Sequence, residues 1–308
     1  IQRELSSSYP ELMVHAMLVD AGDRAAMDRI MATHRPQLLF HAAAYKHVPL
    51  LQLQLREGVR NNILATRTVA EAAVRHQVET MVLISTDKAV NPTSVMGACK
   101  RIAEIFCQNY SRFCEHTHFI TVRFGNVLDS AGSVVPLFRE QIQAGGPVTV
   151  THPEISRYFM TIPEACQLIL QASALGHGGE IFALDMGEPI RIRDLAEQMI
   201  RLADKQPGVD IPIVFTGLRP GEKLFEELFH AQEEYSATTH AKIFLARSRE
   251  MSWDILRTQV DQLSRAVNEC DEDALQSLIS RLLPSFPWNQ ALDATVVPLR
   301  NNDQEGVA

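Results

Sequence analysis

Several things that this 308-residue sequence lacks narrow what it can be. It has no CxxC pair, and its five cysteines, Cys99, Cys107, Cys114, Cys166 and Cys270, stand singly. The first three fall near helical spacing on one expected helix and read as packed free thiols. A reducing cytoplasm suits that usage. There is no secretory signal, and no apolar run is long enough to cross a bilayer. Basic residues are outnumbered, 29 Lys and Arg against 37 Asp and Glu, for a formal charge of -8. That balance argues against a nucleic-acid partner, which favours a basic surface. No GxGxxG or related glycine loop occurs anywhere, so no motif for a dinucleotide pyrophosphate is present in this sequence.

What is present is organised around Val82–Ala103, VLISTDKAVNPTSVMGACKRIA. An apolar run from Met81 to Ile84 predicts a buried parallel strand. It breaks into Ser85-Thr86-Asp87-Lys88, groups able to move protons or hydrogen-bond a sugar. A helix then begins with Ser94 as N-cap, and Met96 and Lys100, four apart, share one face of it. A strand end leading into a helix start is where open α/β sheets bind ligands.

The rest of the chain supplies further candidates. His15–Val19 reads as a strand ending at Asp20, which can accept a hydrogen bond from an adenine amino group or cap a helix. Asp23 is better placed as the N-cap of a helix over 24–34. After a strand at 37–40 comes His41-Ala42-Ala43-Ala44-Tyr45-Lys46-His47-Val48-Pro49, where three alanines leave room for a flat ring or a ribose near the backbone. Residues 57–76 predict one long helix, and Asn61-Asn62 within it suggests a polar contact. A strand at 119–122 leads to Arg123-Phe124-Gly125-Asn126, and the helix opening after Gly132-Ser133 could offer its N-terminal amides to a diphosphate. Arg157 is a candidate phosphate contact. In Arg219-Pro220-Gly221-Glu222-Lys223, Arg219 can grip a phosphate bidentately and Glu222 can accept from a ribose hydroxyl. Ile181–Leu184 reads as a strand that returns to the main sheet, and the chain beyond 249 reads as helical to about 283, with a loose tail after Pro287.

The Ser-Thr-Asp-Lys string, with Met96 nine residues after Asp87 and Lys100 four further on, resembles the active site of extended short-chain dehydrogenases/reductases. Together with HAAAYKHVP and RPGEK, it is similar to the nucleotide-sugar 4,6-dehydratases of bacterial polysaccharide biosynthesis, the CapD-like branch. Those enzymes normally carry Tyr where this chain has Met96, and one subgroup carries Met. The resemblance, over roughly residues 10 to 250, implies an α/β fold with a Rossmann-like doubly wound parallel sheet and a smaller interleaved C-terminal substrate domain. It implies that a βαβ stretch with the phosphate loop precedes the equivalent of Glu11, so the sequence is expected to be N-terminally truncated; a degenerate domain that lost its cofactor is the alternative. The expected division is an NAD-binding unit at 1–147, a sugar-nucleotide unit at 148–250, and a helical extension and tail at 251–308.

The implied activity is an NAD-dependent lyase that removes water from a UDP-N-acetylglucosamine-type sugar nucleotide, giving a 4-keto-6-deoxy product. The implied roles are Thr86 at the C4 hydroxyl, Asp87 as acid for the C6 hydroxyl, and Lys88 as base for the C5 proton with a depressed pKa. Lys100 would hold the nicotinamide ribose, and Met96 cannot move a proton. Asp20, Ala42, Ala43, Ala44, Asn62, Ser85, Lys100 and Arg123 would line NAD. Lys46, His47, Asn126, Arg157, Arg219 and Glu222 would line the UDP-sugar. No metal is implied. By analogy, the helices at 57–76 and after Ser94 form a homo-oligomer interface, and any tether to the inner face of the plasma membrane lies in a segment outside this sequence. An epimerase of the same superfamily and a non-catalytic scaffold are the competing readings.

Overall fold

The computed structural model describes residues 2–229, 233–247 and 251–288. Its framework is a six-stranded sheet. Strands β1 (Leu38–His41), β2 (Thr80–Ile84), β3 (His118–Arg123) and β4 (Glu180–Leu184) run parallel in that order. β5 (Glu234–Ala237) and β6 (Ile243–Arg247) extend it antiparallel, with β6 paired to β4 and β5 outermost. The strand expected at Ile181–Leu184 thus joins the main sheet beside β3, although some 60 residues intervene.

The apolar run of β2 is explained by two covered faces. Met81 and Leu83 join one core cluster and Val82 the other, so successive side chains enter opposite layers. On the first face lie α1 (Arg24–His34), a long helix α2 over 55–75, and α3 (Val95–Ser111). On the second lies α5 (Ile162–Leu175), through Ala165, Leu168 and Ala172. A smaller lobe gathers α4 (Val134–Gln143), α6 (Ile192–Leu202) and the paired short strands Val148–Val150 and Ile213–Phe215 around Phe138, Ile200 and Ile211.

Local signals behave as their chemistry dictates. Asp23 caps α1 by accepting from the Ala26 amide at 3.0 Å. Ser94 caps α3 by accepting from the Gly97 amide at 3.1 Å. Three expectations change. His15–Val19 forms no strand: none of its amides or carbonyls joins a ladder, and Leu18 is fully exposed. The helix over 57–76 is not uniform, because a π-helical turn, Val59–Leu64, separates the α-helical segments Leu55–Gly58 and Ala65–Arg75. The outer face of α2 and α3, expected to meet a second copy, is covered by α7 (Trp253–Glu269) and α8 (Glu272–Leu282). Leu256, Val260, Leu263 and Ile279 share a core with Val59, Ile63 and Phe106. The expected loose tail falls on residues 289–308, outside the described residues.

Candidate active site

Beyond Ile84 the sheet can no longer pair the chain fully, and Thr86 starts a single 3-10 turn, Asp87–Ala89, accepting from the Lys88 amide at 3.3 Å. The Asp87 amide donates to Phe124 O at 3.0 Å, which fixes the turn against the loop after β3. From the other side α3 presses on it through Gly97. A Cβ built there would stand 2.3 Å from the Lys88 carbonyl oxygen. No side chain fits, so a glycine four residues before Arg101 lets the helix approach the turn.

The result is a cluster of charges. Lys88 Nζ lies 3.0 Å from Asp87 Oδ1 and 2.6 Å from Glu226 Oε1, and also donates to Asn126 Oδ1 at 3.3 Å. Thr86 Oγ1 donates to Asp87 Oδ1 at 2.9 Å. Asn126 Nδ2 donates to Glu226 Oε2 at 3.0 Å, and Arg157 Nε stands 3.1 Å from Glu226 Oε1. Asp87 and Glu226 are buried on either side of the Lys88 ammonium, and Asp87 Oδ2 has no hydrogen-bond partner. Glu226 Oε1 likewise has ionic contacts but no aligned hydrogen bond.

Electrostatics assign charge states. Burial would push the Asp87 carboxyl up, but the Lys88 ammonium outweighs it and holds Asp87 below its ordinary range. Burial raises Glu226 to about 7, with neighbouring Asp87 adding to the effect against Lys88 and Arg157. For Lys88 burial lowers the pKa, but Asp87 and Glu226 overcome it and the net shift is upward. The depressed Lys88 expected of a free base is therefore not the resting state: two carboxylates within 3.0 Å keep it an ammonium.

Lys100 does sit beside this turn. It is buried, and its Nζ donates to Ile84 O at 2.7 Å at the end of β2. Burial lowers it to about 8, against the opposing pull of Glu104. Met96, one helical turn earlier, is buried in the apolar core. The segment 42–47 is largely exposed and hangs from α2. Asn61 and Asn62 both accept from the Tyr45 amide, at 3.0 and 2.8 Å, and Asn62 Nδ2 donates to Tyr45 O at 2.9 Å. Asn62 thus spends its amide on holding this loop and does not offer it to a ligand.

Two of the residues assigned above to the cofactor turn inward instead. Arg123 is 2% exposed and its guanidinium is held by Glu104 and Glu233, with contacts of 2.7 Å to each. Ser85 Oγ donates to Glu104 Oε1 at 2.6 Å in the same network. A buried guanidinium needs anionic partners, and Glu104, one turn after Lys100, supplies one. Asp20 accepts from the Gly22 amide in an exposed turn, at 2.8 Å.

The substrate candidates converge better. A cleft of about 560 Å³ is lined by His47, Asn126, Arg157, Arg219 and Glu222, with Gly132 and Ser133 at the start of α4. It shares Arg157, Arg219 and Glu222 with a smaller cavity of about 140 Å³ that reaches Asp87, Lys88 and Glu226. Lys46 is exposed on the loop beside His47. The 219–223 turn is fixed over the segment that follows Asp87–Ala89: Thr93 Oγ1 donates to Gly221 O at 3.1 Å and Lys223 Nζ to Val90 O at 2.9 Å. Glu222 bonds Thr151 Oγ1 and Arg157, which orients the arginine. Glu226 was not foreseen. In LFEEL it looks like an ordinary surface charge, and only its spacing of four from Glu222 hints that both turn one way. Among the described residues no cluster of His, Cys, Asp and Glu could hold a metal, and no helix is long and apolar enough to cross a membrane.

Comparison with known proteins gives these arrangements relatives. Residues 1–248 match the model of a family described as polysaccharide biosynthesis protein. The chain is 47% identical over 283 residues to the capsular polysaccharide biosynthesis protein CapD of Staphylococcus aureus, covering 91% of this chain and 46% of that protein. It spans about half the length of the curated relatives it matches. Among solved structures it resembles Pen from Bacillus thuringiensis, with a TM-score of 0.73 and 34% identity over 80% of this chain and 76% of that one. It shares its fold with DesIV, a dTDP-glucose 4,6-dehydratase from Streptomyces venezuelae solved with NAD and TYD bound. There the TM-score is 0.67 and the identity 18%, over 89% of this chain and 86% of that one.

Proposed function

Because the chain belongs to the polysaccharide biosynthesis protein family, we propose that it carries the catalytic turn of an NAD-dependent 4,6-dehydratase acting on a UDP-N-acetylglucosamine-type sugar. The observation that carries this reading is the Thr86–Asp87–Lys88–Asn126–Glu226 cluster at the base of a cleft lined by two arginines. The family's name and the resemblance to CapD support a role in surface polysaccharide synthesis.

The residues present fit the nicotinamide half of NAD: an ammonium is fixed at the end of β2, and Ala42–Ala44 leave an open strand end whose loop is pinned through Tyr45. Bound there, NAD would supply a reversible hydride acceptor for C4 of the sugar. Lys100 would hold the ribose. Arg157 and Arg219 would take the diphosphate in the cleft, and Glu222 would orient Arg157. Thr86 would receive the C4 hydroxyl proton in place of the thioether of Met96, since its own hydroxyl already donates to Asp87. A 4-keto group acidifies the C5 proton; Lys88, once it has given its resting proton to the Glu226 carboxylate 2.6 Å away, would take that proton, while Asp87, holding the proton passed on through Thr86, would protonate the departing C6 oxygen. A 4-epimerase needs no C6 acid, so the acid–amine pair favours elimination.

Incubating the natural protein with UDP-N-acetylglucosamine and weighing the product is the direct test. Loss of one water supports the dehydratase, and an unchanged mass with altered sugar stereochemistry supports the epimerase. Asp87→Asn and Lys88→Ala should each slow water loss by about 10²–10⁴-fold, the usual span for general acid–base groups. Full turnover in either variant would remove the pair from the mechanism.

A further inference from the structure

Arg219, Glu222, Lys223 and Glu226, which line the cavity opposite the catalytic turn, all belong to residues 216–229, a segment with neither helix nor strand. It leaves the short strand Ile213–Phe215 in the smaller lobe and leads toward β5 at the edge of the main sheet. With so little backbone pairing, its position depends on side-chain contacts. Inside the cleft these are made to Lys88 and Arg157, which the reading above also turns toward the substrate. Outside the cleft there is a firmer hold. Glu233, buried just before β5, meets Arg123 Nη1 at 2.7 Å and Arg101 Nη2 at 2.9 Å, and Tyr235 Oη donates to it as well. The same arginines hold Glu104 of α3, at 2.7 and 3.1 Å, and Glu104 accepts from Ser85, next to Thr86. Two guanidiniums and two carboxylates thus close a charge-balanced set, and none of the four lines either cavity. Pulling Glu233 away would leave two largely buried arginines sharing one carboxylate, which is costly. Phe229 is four residues before Glu233, within about 14 Å even in extended chain, and its ring meets that of Tyr235 with centroids 4.2 Å apart.

We propose that Glu233 is a positioning residue: through Arg101 and Arg123 it anchors the segment that bears Arg219, Glu222 and Glu226, and so sets how much of the time that segment is seated in the cleft. This role rests on the sugar-nucleotide reading above and extends it to a residue that touches no ligand. With the anchor cut, substrate must draw the segment back into place, and apparent affinity falls in proportion to the seated fraction. Turnover at saturation is spared, because bound substrate restores the same contacts. The signature is a raised KM with kcat little changed, and a loosened segment on an otherwise intact fold.

Glu233→Gln keeps the size of the side chain and removes its charge. In the natural protein carrying this change, the affinity for UDP read by calorimetry should fall about tenfold, and KM for UDP-N-acetylglucosamine should rise about tenfold with kcat within about twofold. Trypsin, used well below the unfolding midpoint, gives a readout that needs no ligand. Lys223 Nζ is tied to Val90 O at 2.9 Å and to Glu227 Oε2 at 2.8 Å. Cleavage after Lys223 tracks the lifted fraction and should quicken by about tenfold or more in the variant. Glu233→Asp should recover part of both effects. Tyr235→Phe keeps the ring against Phe229 and removes only one donor to Glu233, so it loses no packing. It should show the same pattern more weakly, by about twofold to threefold. Glu104→Gln breaks the network from the α3 side and controls for lost stability: its unfolding midpoint should drop comparably, with UDP affinity and cleavage after Lys223 close to wild type. If Glu104→Gln loosens the segment equally, or Glu233→Gln lowers kcat with KM unchanged, Glu233 is merely structural and the anchor is refuted. If the wild type binds no UDP, the sugar-nucleotide reading fails, and the cleavage rates alone decide for or against the anchor.

Discussion

At the residue scale, the most informative groups are buried ones held in a charge state that water would not favour. His41 ends β1 and lies 4% exposed, with Nε2 hydrogen-bonded to Thr66 Oγ1 at 3.0 Å. Burial, aided by the nearby Lys100 charge, lowers its pKa from 6.5 to about 3. The unfolded chain therefore binds a proton between those values that the folded chain refuses. Stability contributed by neutral His41 is full above pH 6.5 and is lost as pH falls toward 3, by about 1.4 kcal/mol per unit. The stability advantage of wild type over His41→Gln, read from urea midpoints, should shrink steadily as pH falls from 6.5 toward 4; a gap of constant size from pH 7 to pH 4 would contradict this. Lys100 is the converse case, an ammonium kept beside a strand end by Ile84 O and Glu104 although burial brings it to about 8. Lys100→Ala should abolish UDP-N-acetylglucosamine conversion, and normal turnover in that variant would refute its place in the site. Both residues stand out in sequence, as the first residue of HAAAYKHVP and as the lysine four after Met96. What the sequence could not reveal is which charge wins at Lys88, because that depends on Glu226, 138 positions away.

At the scale of elements, α3 and the turn before it act as one unit, and Gly97 is where they meet. On an exposed helix, replacing Gly by Ala adds about 0.5–1 kcal/mol of stability. Here the new methyl would stand 2.3 Å from the backbone oxygen of Lys88, and backbone cannot swing aside as a flexible side chain can. Gly97→Ala should therefore be destabilising and should also displace Lys88. Thermal unfolding, read alongside water loss, should show a lower midpoint and a rate reduced at least tenfold, whereas a midpoint raised above wild type would show that the helix is free to move. The same helix is tied to the sheet by the Arg123–Glu104–Glu233 network. Removing one partner of such a buried set costs about 3–5 kcal/mol, so Glu104→Gln should lower the urea midpoint strongly and Arg123→Met should do the same. This explains why Arg123 was misread from sequence. An arginine at a strand end two residues before Gly125 looks like a ligand contact, and the anions that claim it come from a helix 19 residues earlier and a segment 110 residues later. Strand and helix positions were legible where periodicity and caps agreed, as at Asp23, Ser94 and β2. They failed at His15–Val19, whose sequence reads as a strand but which finds no strand to pair with in this structure.

At the scale of the whole molecule, α7 and α8 decide which surfaces are open. Their apolar face closes over α2 and α3: Leu256, Val260 and Leu263 are fully buried, Trp253 stacks on Tyr110 at 5.1 Å, and Arg67 Nη1 meets Asp261 at 2.6 Å. Arg56 Nε also donates to the carbonyl of Val267 at 2.7 Å, near the end of α7. A face so covered is not available to a second copy while the helices are seated, whatever the protein does through other surfaces. Removing residues 251–308 would bare Val59, Ile63 and Phe106, a contiguous apolar strip on two adjacent helices, and strips of that kind drive association. The shortened protein should sediment with a concentration-dependent increase in mass or precipitate, whereas in the intact protein amide exchange across 95–111 should be slow and independent of protein concentration. Protection of that helix that grew with concentration in the intact protein would show that the C-terminal pair gives way to a partner, and that the cover is an exchangeable part of an assembly.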